Sequence, residues 1–241
     1  MKDQSKINAH KLALRKAISE LFSLQKELDI KEDRTSFHDY VFGAVNFALL
    51  EVIMMNECLI SGNPIDFTSD EQFLEMMARV NRSVISDMHS TLETCVKLAL
   101  EQVGVKVEAS TNKRTFRTIA KKCDKSAEHC EFQKLVGKFS KPEPGFQDYV
   151  NIVMKGLVSK DEKEKLQILF DAFGIIRNRC AHSNKKLKES EIKVLGNSPF
   201  EFLVMGDQLQ LNVSLYYPWL WQSCKICDLL VEYCKTAQNS S

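Results

Sequence analysis

Arg177, Asn178 and His182 lie within six residues of one another in a stretch whose apolar residues recur at helical spacing. Histidine is the side chain best suited to moving a proton near neutral pH, and the planar donor fork of arginine matches phosphate oxygens. At i and i+4, Asn178 and His182 share one line along a helix, and Arg177 is long enough to bend toward the imidazole. Such a set suits phosphodiester chemistry, with His182 transferring the proton, Arg177 offsetting charge on phosphorus and Asn178 orienting phosphate or ring. No paired carboxylates at metal-binding spacing and no Gly-rich phosphate loop accompany it, so neither a two-metal nuclease nor an NTPase is supported. The nucleophile must then come from the substrate, as the 2′-hydroxyl of RNA can, with products ending in 2′,3′-cyclic phosphate and 5′-hydroxyl. No metal and no cofactor is expected.

The element that presents these residues is the most strongly signalled in the chain. Ser159-Lys160-Asp161-Glu162 reads as a capping box, and the helix it opens is expected to continue to about Ser183. Leu166, Leu169, Phe173, Ile176 and Cys180 step alternately by three and four, forming one seam for the core. Cys180 on that seam is poorly placed to attack anything. Ile168, Asp171, Ile175, Asn178 and His182 form a second line roughly opposite. Isoleucines there would make an unprotected patch, so another segment or a second subunit should cover it; Ile168, Asp171 and Ile175 are the expected dimer surface.

The remaining segments read as supporting helices. Leu14, Ala17, Leu21, Leu24 and Leu28 mark a first helix over 9–28, and the nearly all-apolar VFGAVNFALLEVIMM run marks a central second one over 37–60. A third, over 70–103, turns Met77, Val80, Val84, Met88, Leu92, Cys95 and Ala99 to the core. Its Arg82, Ser86, His89, Glu93 and Lys97 form a polar line that reads as a solvated face. Residues 104–158 look like shorter helices elaborating the domain, with Arg114, Arg117 and Lys121 on a basic face that could bind RNA. FEFLV and QLQLNVSL around Met205-Gly206-Asp207 suggest a short β-hairpin at about 200–214, and Pro218 sits where a last helix begins. His10, His38 and His129 lie near helix ends or breaks, without convergent partners, and read as surface residues.

Nine glycines and five prolines in 241 residues favour long helices over a many-turned β protein, so a mainly α single domain over 1–241 is expected. The net charge of +1 argues against a strongly basic nucleic-acid binder, so any RNA surface must come from local clustering. The N-terminal residues lack a signal-peptide core and no run approaches about 20 apolar residues, so the reading is a soluble cytoplasmic protein without a membrane partner. Its eight cysteines are then expected to be reduced, and the Cys224–Cys227 pair lacks the second pair a closed zinc site needs.

Arg177-Asn178-Arg179-Cys180-Ala181-His182 resembles the R-x(4-6)-H signature of the HEPN superfamily, with a polar residue after the arginine as in nuclease-active members. SVISDMHSTLETCVKLAL is similar to the earlier HEPN helix that carries a recurrent glutamate, which would be Glu93. The resemblance implies a helical bundle that dimerises with its motifs facing one another and, in many members, a metal-independent endoribonuclease. Glu93 would hold Arg177 or His182 in place. It also implies a toxin or antiphage-defence role, with an antitoxin or regulatory partner. The residues themselves add that one histidine cannot be base and acid in the same step, whereas a two-fold axis would pair His182 with its mate. The different-class alternative is a non-enzymatic helical interaction or regulatory module that dimerises through the same face.

Overall fold

Apolar residues at three- and four-residue steps wind the first segments into long helices: α1 (Gln4–Asp29), α2 (Ser36–Ser61) and α3 (Asp70–Gln102). Next come α4 (Phe146–Gly156), α5 (Lys160–Ala181) and α6 (Glu189–Gly196). Strands β1 (Val204–Met205) and β2 (Gln208–Leu209) follow, and then α7 (Tyr216–Asn239). This computed structural model describes residues 4–61, 70–107, 144–156, 160–181 and 186–239. The fold is mainly α with a short antiparallel pair near its C-terminal end.

Helices α1, α2, α3 and α7 pack on one another around the main core, and α3 also carries α4 and α5. The α1 stripe Leu14, Ala17, Leu21, Leu24 and Leu28 is buried throughout, as its spacing requires. The expected core line of α3 is buried too, except that Val80 is half-buried against it. That helix ends at Gly104, whose φ of +70° lets its N–H reach Glu101 while Val105 N–H reaches Leu100.

By length and composition, Ser36–Leu59 of α2 is apolar enough to cross a membrane, contrary to the expectation that no run approaches that length. Its Val41, Val45, Ala48 and Val52 are fully buried where α2 packs on α1, α3 and α7, so part of that apolarity serves core packing. Tyr40, Leu50 and Met54 nevertheless stand exposed on its outer side.

The start of α2 corrects the reading of His38 as a surface residue. His38 is buried, and its Nδ1 accepts the Thr35 backbone N–H at 3.2 Å, with the Thr35 hydroxyl 2.9 Å away. The ring thus does the work of the glutamate in a capping box. Because Nδ1 accepts, the proton sits on Nε2, which donates to Asp228 of α7 at 3.1 Å. His10, by contrast, is half-buried, and His129 lies outside the described residues.

The hairpin is shorter than its sequence pattern. Val204 pairs with Leu209 and Met205 with Gln208 around Gly206-Asp207, where Gly206 supplies a φ of +63°. On either side, Glu201–Leu203 and Val213–Leu215 wind into 3-10 turns instead of extending the strands. The turns put Leu203, Val213 and Leu215 into the core, which straight two-residue alternation would not do. Helix α6 was not expected from the sequence. Of the elaboration expected over 104–158, α4 is described, while 108–143, with Arg114, Arg117 and Lys121, lie outside the described residues.

Candidate active site

Helix α5 is held by its apolar seam. Leu166, Leu169, Phe173, Ile176 and Cys180 are all buried, with Phe173 fully enclosed. Its ring meets Trp219 at 4.3 Å and Phe200 at 5.4 Å between centroids. Phe170 continues the row to Phe146 of α4, which meets His89 of α3 edge-on at 5.1 Å. These aromatic contacts fix how α5 sits against α3, and so where the residues of its last turn stand.

Two arginines in that turn have different fates. Arg179 is tied through Nη2 to Glu191 of α6, whose carboxylate also accepts the Lys188 backbone N–H at 2.7 Å. Burial pushes the Glu191 carboxyl up, but the Lys188 N–H and the Arg179 guanidinium outweigh it and hold the group below its ordinary value. Arg177 is exposed, and its Nη1 donates to the exposed Asn178 Oδ1 at 3.1 Å. Arg177 thus faces solvent with most of its donor fork unused, as a phosphate-binding arginine must. His182 follows Ala181, the last residue of α5, and lies outside the described residues.

Cys180 points into the core, and burial raises its thiol against the opposing charge of Arg82. It is no nucleophile. The opposite line of α5 is partly covered within the chain. Ile175 is half-buried against the core, Ile168 lines a cavity of about 650 Å³ with Pro199, Ile226 and Leu229, and Asp171 accepts from Gln167 at 2.8 Å.

Glu93 is half-buried on α3, and its carboxylate takes Lys97 Nζ at 2.8 Å, one turn along. Lys97 also lies 5.2 Å from the Tyr149 ring of α4. Glu93 and Arg177 meet electrostatically at His89, where their charges act in opposite senses. The polar line of α3 is therefore not a uniformly solvated face. His89 is 7% exposed, and burial first, then the Arg177 charge, keeps its imidazole below the ordinary pKa, with Glu93 opposing.

The burial of His89 is what the solvated-face reading of that line missed. Its signal was present, because Ile85, Leu92 and Val96 stand at i−4, i+3 and i+7 from it and all three are buried. Spacing of three and four lets one residue belong to two lines, and His89 falls on the border between them. No group of three or more histidine, cysteine or acidic side chains that could hold a metal occurs among the described residues. No protein-family model matches the chain, and no match was found among curated proteins or solved structures.

Proposed function

We propose that this protein is a metal-independent endoribonuclease of the kind its Arg177–His182 motif resembles. The observation that carries the reading is the contrast between the two arginines. Arg179 is consumed by α6, whereas Arg177 stands exposed on Asn178, on a helix packed against α3. In this reading Arg177 binds the scissile phosphate and offsets its growing charge, Asn178 holds the guanidinium in place, and His182 protonates the leaving 5′-oxygen. The attacking group is the neighbouring 2′-hydroxyl. The outer face of α5, with Ile168, Asp171 and Ile175, is the surface through which two chains would pair.

The test is incubation of the purified protein with mixed RNA in EDTA, beside Arg177→Ala and His182→Ala. Cleavage by the wild type should leave 2′,3′-cyclic phosphate ends, and each variant should lose on the order of 100-fold or more in rate while keeping its circular dichroism. An RNA with a single 2′-deoxy substitution 5′ of the cut should resist. Its cleavage at the normal rate would rule the mechanism out. The second reading, a helical interaction module, is favoured by the exposed Tyr40, Leu50 and Met54 on α2. Intact RNA after incubation with wild type would select it.

A further inference from the structure

We propose that the cleft between the first half of α5 and the middle of α7 binds a small amphipathic anion. Its ligand is a free aliphatic carboxylate, with its chain on the cleft floor and its head between Lys165 and Lys225. The cleft lies toward the start of α5, away from the last turn that carries Arg177, so it is independent of the ribonuclease reading.

Side-chain size explains the cleft. Phe173 of α5 meets Trp219 of α7 at 4.3 Å between centroids, and Phe200 packs on both rings, so aromatic bulk fills the space between the helices there. One to three turns away from that contact, the facing side chains are Leu166 and Leu169 from α5 and Ile226 and Leu229 from α7. These shorter side chains do not span the gap that the rings span, and a cavity of about 650 Å³ is left. Small-molecule sites commonly occupy roughly 300–1,000 Å³.

Burial and charge are graded from floor to mouth. Leu166, Leu169 and Ile226 are buried and form the floor, while Ile168 and Leu229 are half-buried on the sides. Lys165 and Lys225 are exposed, so each helix brings one ammonium group to the mouth. Lys225 Nζ is held there 3.4 Å from the centroid of the Trp221 ring. Glu162 is the one acid in the lining against these two lysines, which leaves the mouth with an excess of positive charge. An aliphatic chain on the floor recovers the burial that the open gap forgoes, and a carboxylate at the mouth accepts charge-assisted hydrogen bonds from the lysines. A ligand charged along its length would have to desolvate those charges against leucine and isoleucine.

Calorimetric titration of the whole protein with dodecanoate, below its micellar concentration, tests the site. One molecule should bind per chain, and the uncharged dodecanol should bind about tenfold more weakly. Lys165→Gln together with Lys225→Gln should cost dodecanoate about tenfold and leave dodecanol unchanged. Leu229→Trp, which fills the cleft from its half-buried side, should remove binding of both while keeping the wild-type circular dichroism. No saturable binding to the wild type would overturn the proposal, and so would undiminished binding to Leu229→Trp, which would mean an adventitious site elsewhere. Dodecanol binding as tightly as dodecanoate would overturn the carboxylate assignment. Binding confined to conditions in which sedimentation shows monomers would put a second copy of the chain in the cleft and overturn the proposal. Should Leu229→Trp not fold, the wild type decides by NMR. Its Leu166, Leu169 and Ile226 methyls must show nuclear Overhauser contacts to the bound dodecanoate chain, and their absence overturns the site.

Discussion

A histidine in a protein interior is informed by what its nitrogens touch. His38 has given both to the fold, whereas the His89 ring meets Phe146 edge-on and feels the opposed charges of Arg177 and Glu93. The consequence for stability has a definite sign. Burial first, then Arg177, depresses the folded pKa of His89 below the ordinary 6.5, so the unfolded chain takes up the proton more readily. The contribution of a neutral His89 is fully present above about pH 6.5 and is lost as the pH falls through the folded value. Urea denaturation at pH 7 and at pH 5 should show a larger loss for wild type than for His89→Asn. Glu191, whose folded pKa is also lowered, acts below its ordinary 4.5 and titrates alike in both proteins. Equal losses would mean that His89 is solvated. At the same scale, Arg177 is exposed, so Arg177→Ala should leave the denaturation midpoint unchanged as it removes cleavage.

Among the elements, α5 was the most legible and its neighbours were less so. Its seam follows from periodicity alone, because every member of the three-four series from Leu166 to Cys180 is buried. The role of Arg179 was not readable in the same way, since its partner Glu191 lies twelve residues away across a turn and belongs to a helix of eight residues. Nor was His38, whose Asp228 is 190 residues distant. Local spacing reports which face of a helix is apolar; it does not report which distant polar group will meet it. The same limit explains the hairpin, where alternation suggested two full strands but burial of Leu203 and Val213 is achieved by 3-10 turns. The weight of the seam can be measured. Phe173 is fully buried against Trp219 and Phe200, so Phe173→Ala should cost about 3–5 kcal/mol by urea denaturation, the usual range for a buried aromatic. Ile175→Ala, on the half-buried side, should cost less. Equal costs would mean that the two faces of α5 carry equal packing.

For the whole molecule, the proposed ribonuclease chemistry has a consequence for assembly. Counting only His182, it needs a two-fold pairing of chains, since one imidazole cannot accept and donate in the same step. Helices α3, α4 and α5 pack within one chain, and Ile168 and Ile175 on the outer side of α5 are partly covered by their own chain. A paired site and a self-contained one differ in how activity scales with concentration. A site completed by a mate loses activity per chain once dilution separates the dimer, following the dissociation curve. A site complete in one chain does not. In the proposed reading, cleavage of a fluorescent RNA should therefore lose rate per chain as the protein is diluted from micromolar through the concentration at which sedimentation shows monomers. A rate per chain that stays constant through that range would overturn the two-fold site.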